Sequence, residues 1–78
     1  MSVLQDRVEE LFRRCPVLCG FAVDGELFVS ELACYPALDG EQTETLRAEI
    51  ALELSALLDE EPEAAELLPG RTFARTVH

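Results

Sequence analysis

The chain has 78 residues, of which 49% are hydrophobic, and its sixteen acidic and six basic residues give a formal net charge of −10. This length predicts a single small domain over residues 1–78, and the apolar content excludes a disordered chain. The negative charge repels phosphate backbones and anionic lipid headgroups, so we expect neither nucleic acid nor a membrane as a partner.

An amphipathic helix is predicted first, over about residues 3 to 14. Ser2 and Gln5 fit a capping box at its start, and Pro16 ends it because the residue before a proline avoids the helical region. Apolar residues recur between these limits at helical spacing: Leu4, Val8, Leu11 and Phe12.

A β-hairpin is predicted next, from the runs VLCGFAV and ELFVSELACY on either side of Asp24-Gly25. That pair of residues is typical of a two-residue type I′ turn. In the resulting register Phe21 faces Phe28, and Cys15 faces Cys34.

Two helices and a strand complete the predicted fold. Asp39 and Gln42 form a second capping pair before a helix over about residues 40–60, and a short third helix runs from Pro62 to about Leu68. Residues 71–77 have the spacing of a third strand. The order α-β-β-α-(α)-β predicts an α+β fold: a two-layer α/β sandwich whose three-stranded, mostly antiparallel sheet has β1 in its centre and helices on one face.

The predicted hairpin leaves a second apolar face that one layer of helices does not cover. Its candidate interface residues are Leu18, Leu27, Val29 and Tyr35. An exposed apolar patch of this kind indicates a contact site. We therefore expect a homodimer formed through the sheet, or an unidentified protein partner in place of the second copy.

Three cysteines, Cys15, Cys19 and Cys34, are the candidate thiol site. Their spacing is not that of a zinc knuckle, and Cys15 follows a helix C-terminus, where the helix dipole disfavours a thiolate. We interpret them as small core residues; the alternative is a redox or metal-binding site that uses Cys15, Cys34 and possibly Cys19.

Two arginines, Arg71 and Arg75, lie four residues apart on the predicted third strand. They form a candidate two-pronged contact to a carboxylate or phosphate. The alternative is pairing with the acidic residues of the chain itself. On the second helix, Glu44, Glu49, Glu53 and Glu60 are predicted to form a solvated face.

A small, acidic, non-catalytic interaction or accessory module is the function that the sequence favours, with no cofactor and no metal. An enzyme would need a cleft of converging polar groups, which so short a chain could build only across a dimer interface. The odd number of cysteines and the absence of a long apolar run indicate the cytoplasm. The use of arginine for all six basic residues indicates a bacterial source.

Overall fold

The computed structural model describes residues 3–75, and its element order follows the predicted one. The elements are α1 (Val3–Arg14), β1 (Leu18–Val23), β2 (Val29–Cys34), α2 (Gly40–Glu60), α3 (Ala64–Leu67) and β3 (Thr72–Ala74). The bounds predicted for α1 and α2 are confirmed, as is the capping box of Asp39 and Gln42. The third helix begins two residues later than expected. The predicted Ser2 cap and the end of the predicted third strand lie outside the described residues.

The sheet has the order β2-β1-β3, and both neighbours run antiparallel to β1, as predicted. Packing centres on Phe21 in β1, whose ring lies 6.1 Å from the ring of Phe12 in α1 and 5.0 Å from that of Phe73 in β3. The apolar stripe of α2 is buried in the same core: Leu46, Ile50, Leu54 and Leu57. The shortest dimension of the molecule, 18 Å, fits one layer of helices on one sheet.

The hairpin turn differs from the predicted type I′ turn. The N–H of Asp24 donates to the carbonyl of Phe28 (2.9 Å), and the N–H of Leu27 donates to the carbonyl of Asp24 (3.1 Å). The Asp24 carboxylate also accepts from the N–H groups of Glu26 and Phe28. This side chain holds a three-residue loop in which the left-handed position falls on Leu27, with φ 66°, and not on Gly25.

The longer loop and two bulges change the register that was predicted for the hairpin. Phe21 pairs with Leu32 and not with Phe28, and Cys34 pairs with Leu18 and not with Cys15. The register shifts between Leu18 and Gly20, and again between Ala22 and Val23. Each shift inserts one residue, so side chains on either side of it exchange faces relative to strict alternation.

Gly20 is the point of closest approach between β1 and β3. A Cβ atom at this position would lie 2.9 Å from the carbonyl oxygen of Phe73, which belongs to the backbone and cannot turn away. Only a residue without a side chain therefore lets β3 pair at this distance.

We expect Gly20→Ala to destabilise the fold by about 1–3 kcal/mol, because β3 must shift to admit the methyl group. Urea unfolding followed by circular dichroism measures the change. Gly25→Ala is the matched control, because nothing lies within 4 Å of a Cβ atom there. Equal unfolding midpoints for the two variants would contradict the close approach.

Candidate functional site

The sheet face opposite the helices is a shallow depression of about 230 Å³. Glu31 is the charged residue in its lining. Its other outward side chains are small: Cys19, Ala22, Ala33, Thr72 and Ala74, with Gly20 between them. We call this surface the open face. Because its side chains are short, a docking surface can come close to the strand backbones.

The residues predicted to form an apolar interface do not lie together on this face. Leu18 and Val29 are 0% and 3% exposed and belong to the core beneath the helices. Leu27 is half-buried against that core, and Tyr35 is 82% exposed just beyond β2. The predicted face composition is wrong because the bulges turn Leu18 and Val29 inward.

The small residues of the open face were not recognised from the sequence as a surface. Gly20 and Ala22 alternate with Phe21 and Val23 along β1, which is the pattern of a strand with one bulky and one small face. This alternation would have predicted the small face. It was not used because the register that follows from a two-residue turn places bulky residues of β2 beside Gly20 and Ala22.

The three cysteines lie near one end of the sheet and are all free thiols. Cys15 and Cys34 are half-buried against the core, whereas Cys19 is exposed and lines the open face, so its predicted place in the core is wrong. Within residues 3–75, no three His, Cys, Asp or Glu side chains are grouped so that they could hold a metal ion.

Burial governs the acidity of the two half-buried thiols. It raises the pKa of Cys15 above its ordinary value, and the nearby Glu49 carboxylate raises it further, against the opposing charges of Arg14 and Arg75. The pKa of Cys34 is also raised, first by burial and then by Cys19 and Cys15. A thiol that stays protonated is a weak nucleophile and a weak metal ligand.

The two candidate anion-binding arginines have separate surroundings. The Arg75 guanidinium donates through Nη2 to the carbonyl oxygens of Phe12 and Cys15, the second at 3.1 Å, and so closes the C-terminus of α1. Arg71 lies over the ring of Phe73, 5.6 Å from its centroid. A joint two-pronged contact is therefore not formed, because Arg75 is already bound to helix carbonyls.

Ion pairs between α1 and α2 were missed by the sequence analysis. Arg14 contacts Glu53 at 2.7 Å, and Arg7 contacts Glu60 at 2.6 Å. Glu53 and Glu60 were predicted to lie on a solvated face, but both pair with arginines of α1. Glu53 lies beside the core stripe of α2, and Glu60 lies seven residues further on, on the same side of the helix. Two further arginines pair with glutamates of their own helices: Arg13 with Glu10 and Arg47 with Glu44.

Comparisons with known proteins identify no relative of this chain. No protein-family model matches it, and neither curated proteins nor solved structures give a match. None of the helices described within residues 3–75 combines the length and apolar character of a membrane span.

We expect Arg75→Met to destabilise the protein by about 1–2 kcal/mol, because two carbonyls at the end of α1 lose a charged donor while the apolar stem is retained. Arg71→Met is the control and should change the free energy of unfolding by less than about 1 kcal/mol. Thermal or urea unfolding gives both values. An equal decrease in the free energy of unfolding of the two variants would show that the contact of Arg75 with the helix carbonyls does not stabilise the fold.

We expect a thiol reagent at neutral pH to modify Cys19 quickly and Cys15 and Cys34 slowly, since the thiolate is the reacting form and the pKa of both half-buried thiols is raised. The two slow reactions should accelerate as the pH rises above the ordinary thiol pKa. Absorbance of the released thiol product measures the phases. Cys19→Ser should remove the fast phase, and three equal rates would contradict the assignment.

Proposed function

We propose that the protein is a small, acidic, non-catalytic interaction module that acts in the bacterial cytoplasm and binds another protein through its open face. The observation that carries this proposal is the one-sided cover of the sheet: α1 and α2 pack on one face, and short side chains line the other. A sheet face of this kind offers a flat surface on which a strand layer or a helix can pack.

The chemistry of the open face supports close packing with a partner. Ala22, Ala33 and Ala74 present methyl groups, and Thr72 adds a hydroxyl, so little side-chain entropy is lost on contact. Glu31 adds one negative charge to the middle of β2. A partner that places bulky apolar side chains over the alanines and a basic group near Glu31 suits this surface.

The charge distribution favours a partner that is neutral or basic. Four of the six arginines pair with glutamates, and Arg75 is bound to helix carbonyls. Most of the sixteen acidic residues have no arginine to pair with, because the chain has only six basic residues. The resulting negative potential speeds the approach of a basic surface and discourages an acidic one.

Thiol chemistry is less well supported as a function. The pKa of Cys15 and that of Cys34 are both raised, which keeps these thiols protonated at neutral pH. Cys19 is exposed, but its place on the open face suits contact with a partner as well as it suits reactivity.

Self-association of the protein remains part of the proposal. The burial of Leu18 and Val29 removes the exposed apolar patch on which the sequence-based prediction of a homodimer depended.

Site-specific photo-crosslinking tests the open face in the cells that produce the protein. We expect a photoreactive amino acid at Thr72, which is exposed on that face, to give a covalent adduct with one defined protein. The same amino acid at Ala56, which is exposed on α2, is the matched control and should give none.

A second variant connects the adduct to the surface. Ala33→Arg places a bulky charged group on the open face and should abolish the crosslink from Thr72, while circular dichroism shows an unchanged fold. Mass spectrometry identifies the adduct and its attachment point. Equal adducts from Thr72 and Ala56, or a crosslink that survives Ala33→Arg, would exclude binding through the open face.

A further inference from the structure

The outer edge of β2 has backbone groups that the sheet leaves unpaired. Residues of an antiparallel strand direct their N–H and C=O groups alternately toward one neighbour and the other. Val23 donates its N–H to the carbonyl of Arg71 on the β3 side, so Phe21, two residues earlier, also faces β3. Leu32, the partner of Phe21 in β2, therefore directs its polar groups away from β1.

Cys34 presents the same free groups two residues further along β2. The next residue, Tyr35, donates its N–H inward to the carbonyl of Val17 (2.8 Å), so Cys34 directs its own groups outward. The bulge at Ser30 limits this edge on one side, and Pro36, which has no N–H, limits it on the other. Leu32 and Cys34 together form a short edge that can pair with another strand.

We propose that a second copy of this chain pairs with this edge, β2 against β2 in antiparallel orientation, about a two-fold axis at Ala33. Leu32 of each copy then lies opposite Cys34 of the other, and each such pair exchanges two hydrogen bonds. The N–H and C=O groups of Leu32 and Cys34 are the donors and acceptors in both copies. The edge is therefore complementary to itself, as a two-fold interface requires.

The charges along the edge are compatible with a second copy, although each chain carries −10. In the proposed register, Glu31 lies opposite Tyr35 of the second copy and not opposite another acid. The 82% exposed phenol of Tyr35 can cover this carboxylate and donate a hydrogen bond to it. On α2, Glu44 is already paired with Arg47.

Ala51 and Ser55 are short side chains of α2 that lie beside Leu27, Phe28 and Val29, at the turn end of β2. Such residues let two helices approach to about 8–10 Å. The dimer would join both open faces into one surface on a six-stranded sheet.

This inference rests on the self-association in the proposed function and not on what the open face binds. Disulfide trapping tests its register. In a chain with Cys15→Ser, Cys19→Ser and Cys34→Ser, an added Ala33→Cys places two thiols across the axis, where paired Cα atoms lie about 4.5 Å apart, within disulfide range.

We expect Ala33→Cys to form a disulfide-linked dimer under mild oxidation at least tenfold faster than Ala74→Cys in the same background. Ala74 is the matched control, because it is an exposed alanine on the same face at the other edge of the sheet. Equal rates for the two variants would overturn the proposal.

Amide exchange on the unmodified protein gives an independent test, which does not depend on how well the serine variants fold. The N–H groups of Leu32 and Cys34 should exchange at least tenfold more slowly when concentration rises, in step with dimer formation in sedimentation, while those of Thr72 and Ala74 should not change. A monomer at all concentrations, or protection of the β3 amides instead, would overturn the proposal. If Ala33→Cys links rapidly but the Thr72 crosslink is absent, only the proposed partner binding fails.

Discussion

The structure depends on β1 placing Leu18 and Phe21 on the same face of the sheet. Strict alternation would put residues three apart on opposite faces, and the bulge between Leu18 and Gly20 supplies the extra residue that brings them together. Both side chains then pack beneath the helices with exposures of 0% and 2%. Since β1 is the central strand, this one bulge decides which face of the sheet carries bulky side chains and which carries small ones.

Helices and strand order could be predicted because their signals are local or cumulative. The buried stripe of α2 follows helical spacing, and the capping box of Asp39 and Gln42 fixes where that helix begins. β1 is the most apolar strand, and the most apolar strand is expected in the centre of a sheet, where neighbours cover both of its edges. These features involve many residues each, so no single contact could reverse them.

Register and surface could not be predicted because they depend on single contacts. The Asp24 carboxylate accepts two backbone N–H groups and moves the left-handed position to Leu27, although Asp-Gly favours a shorter turn. Every pairing beyond the turn then changes. The capping of α1 by Arg75 joins residues from opposite parts of the chain, and no spacing rule brings them together.

The place of β3 in the sheet also has a consequence for how the chain folds. α1 and the β1–β2 hairpin form from neighbouring residues, whereas Phe21 meets Phe73 only after about fifty further residues have been added, a long loop to close. During synthesis one side of β1 therefore remains an unprotected template for strand addition until residues 72–74 emerge. Gly20, which admits β3 so closely, presents no side chain that would keep the strand of another nascent chain away from this edge, so the protection of β1 depends on the arrival of β3 itself.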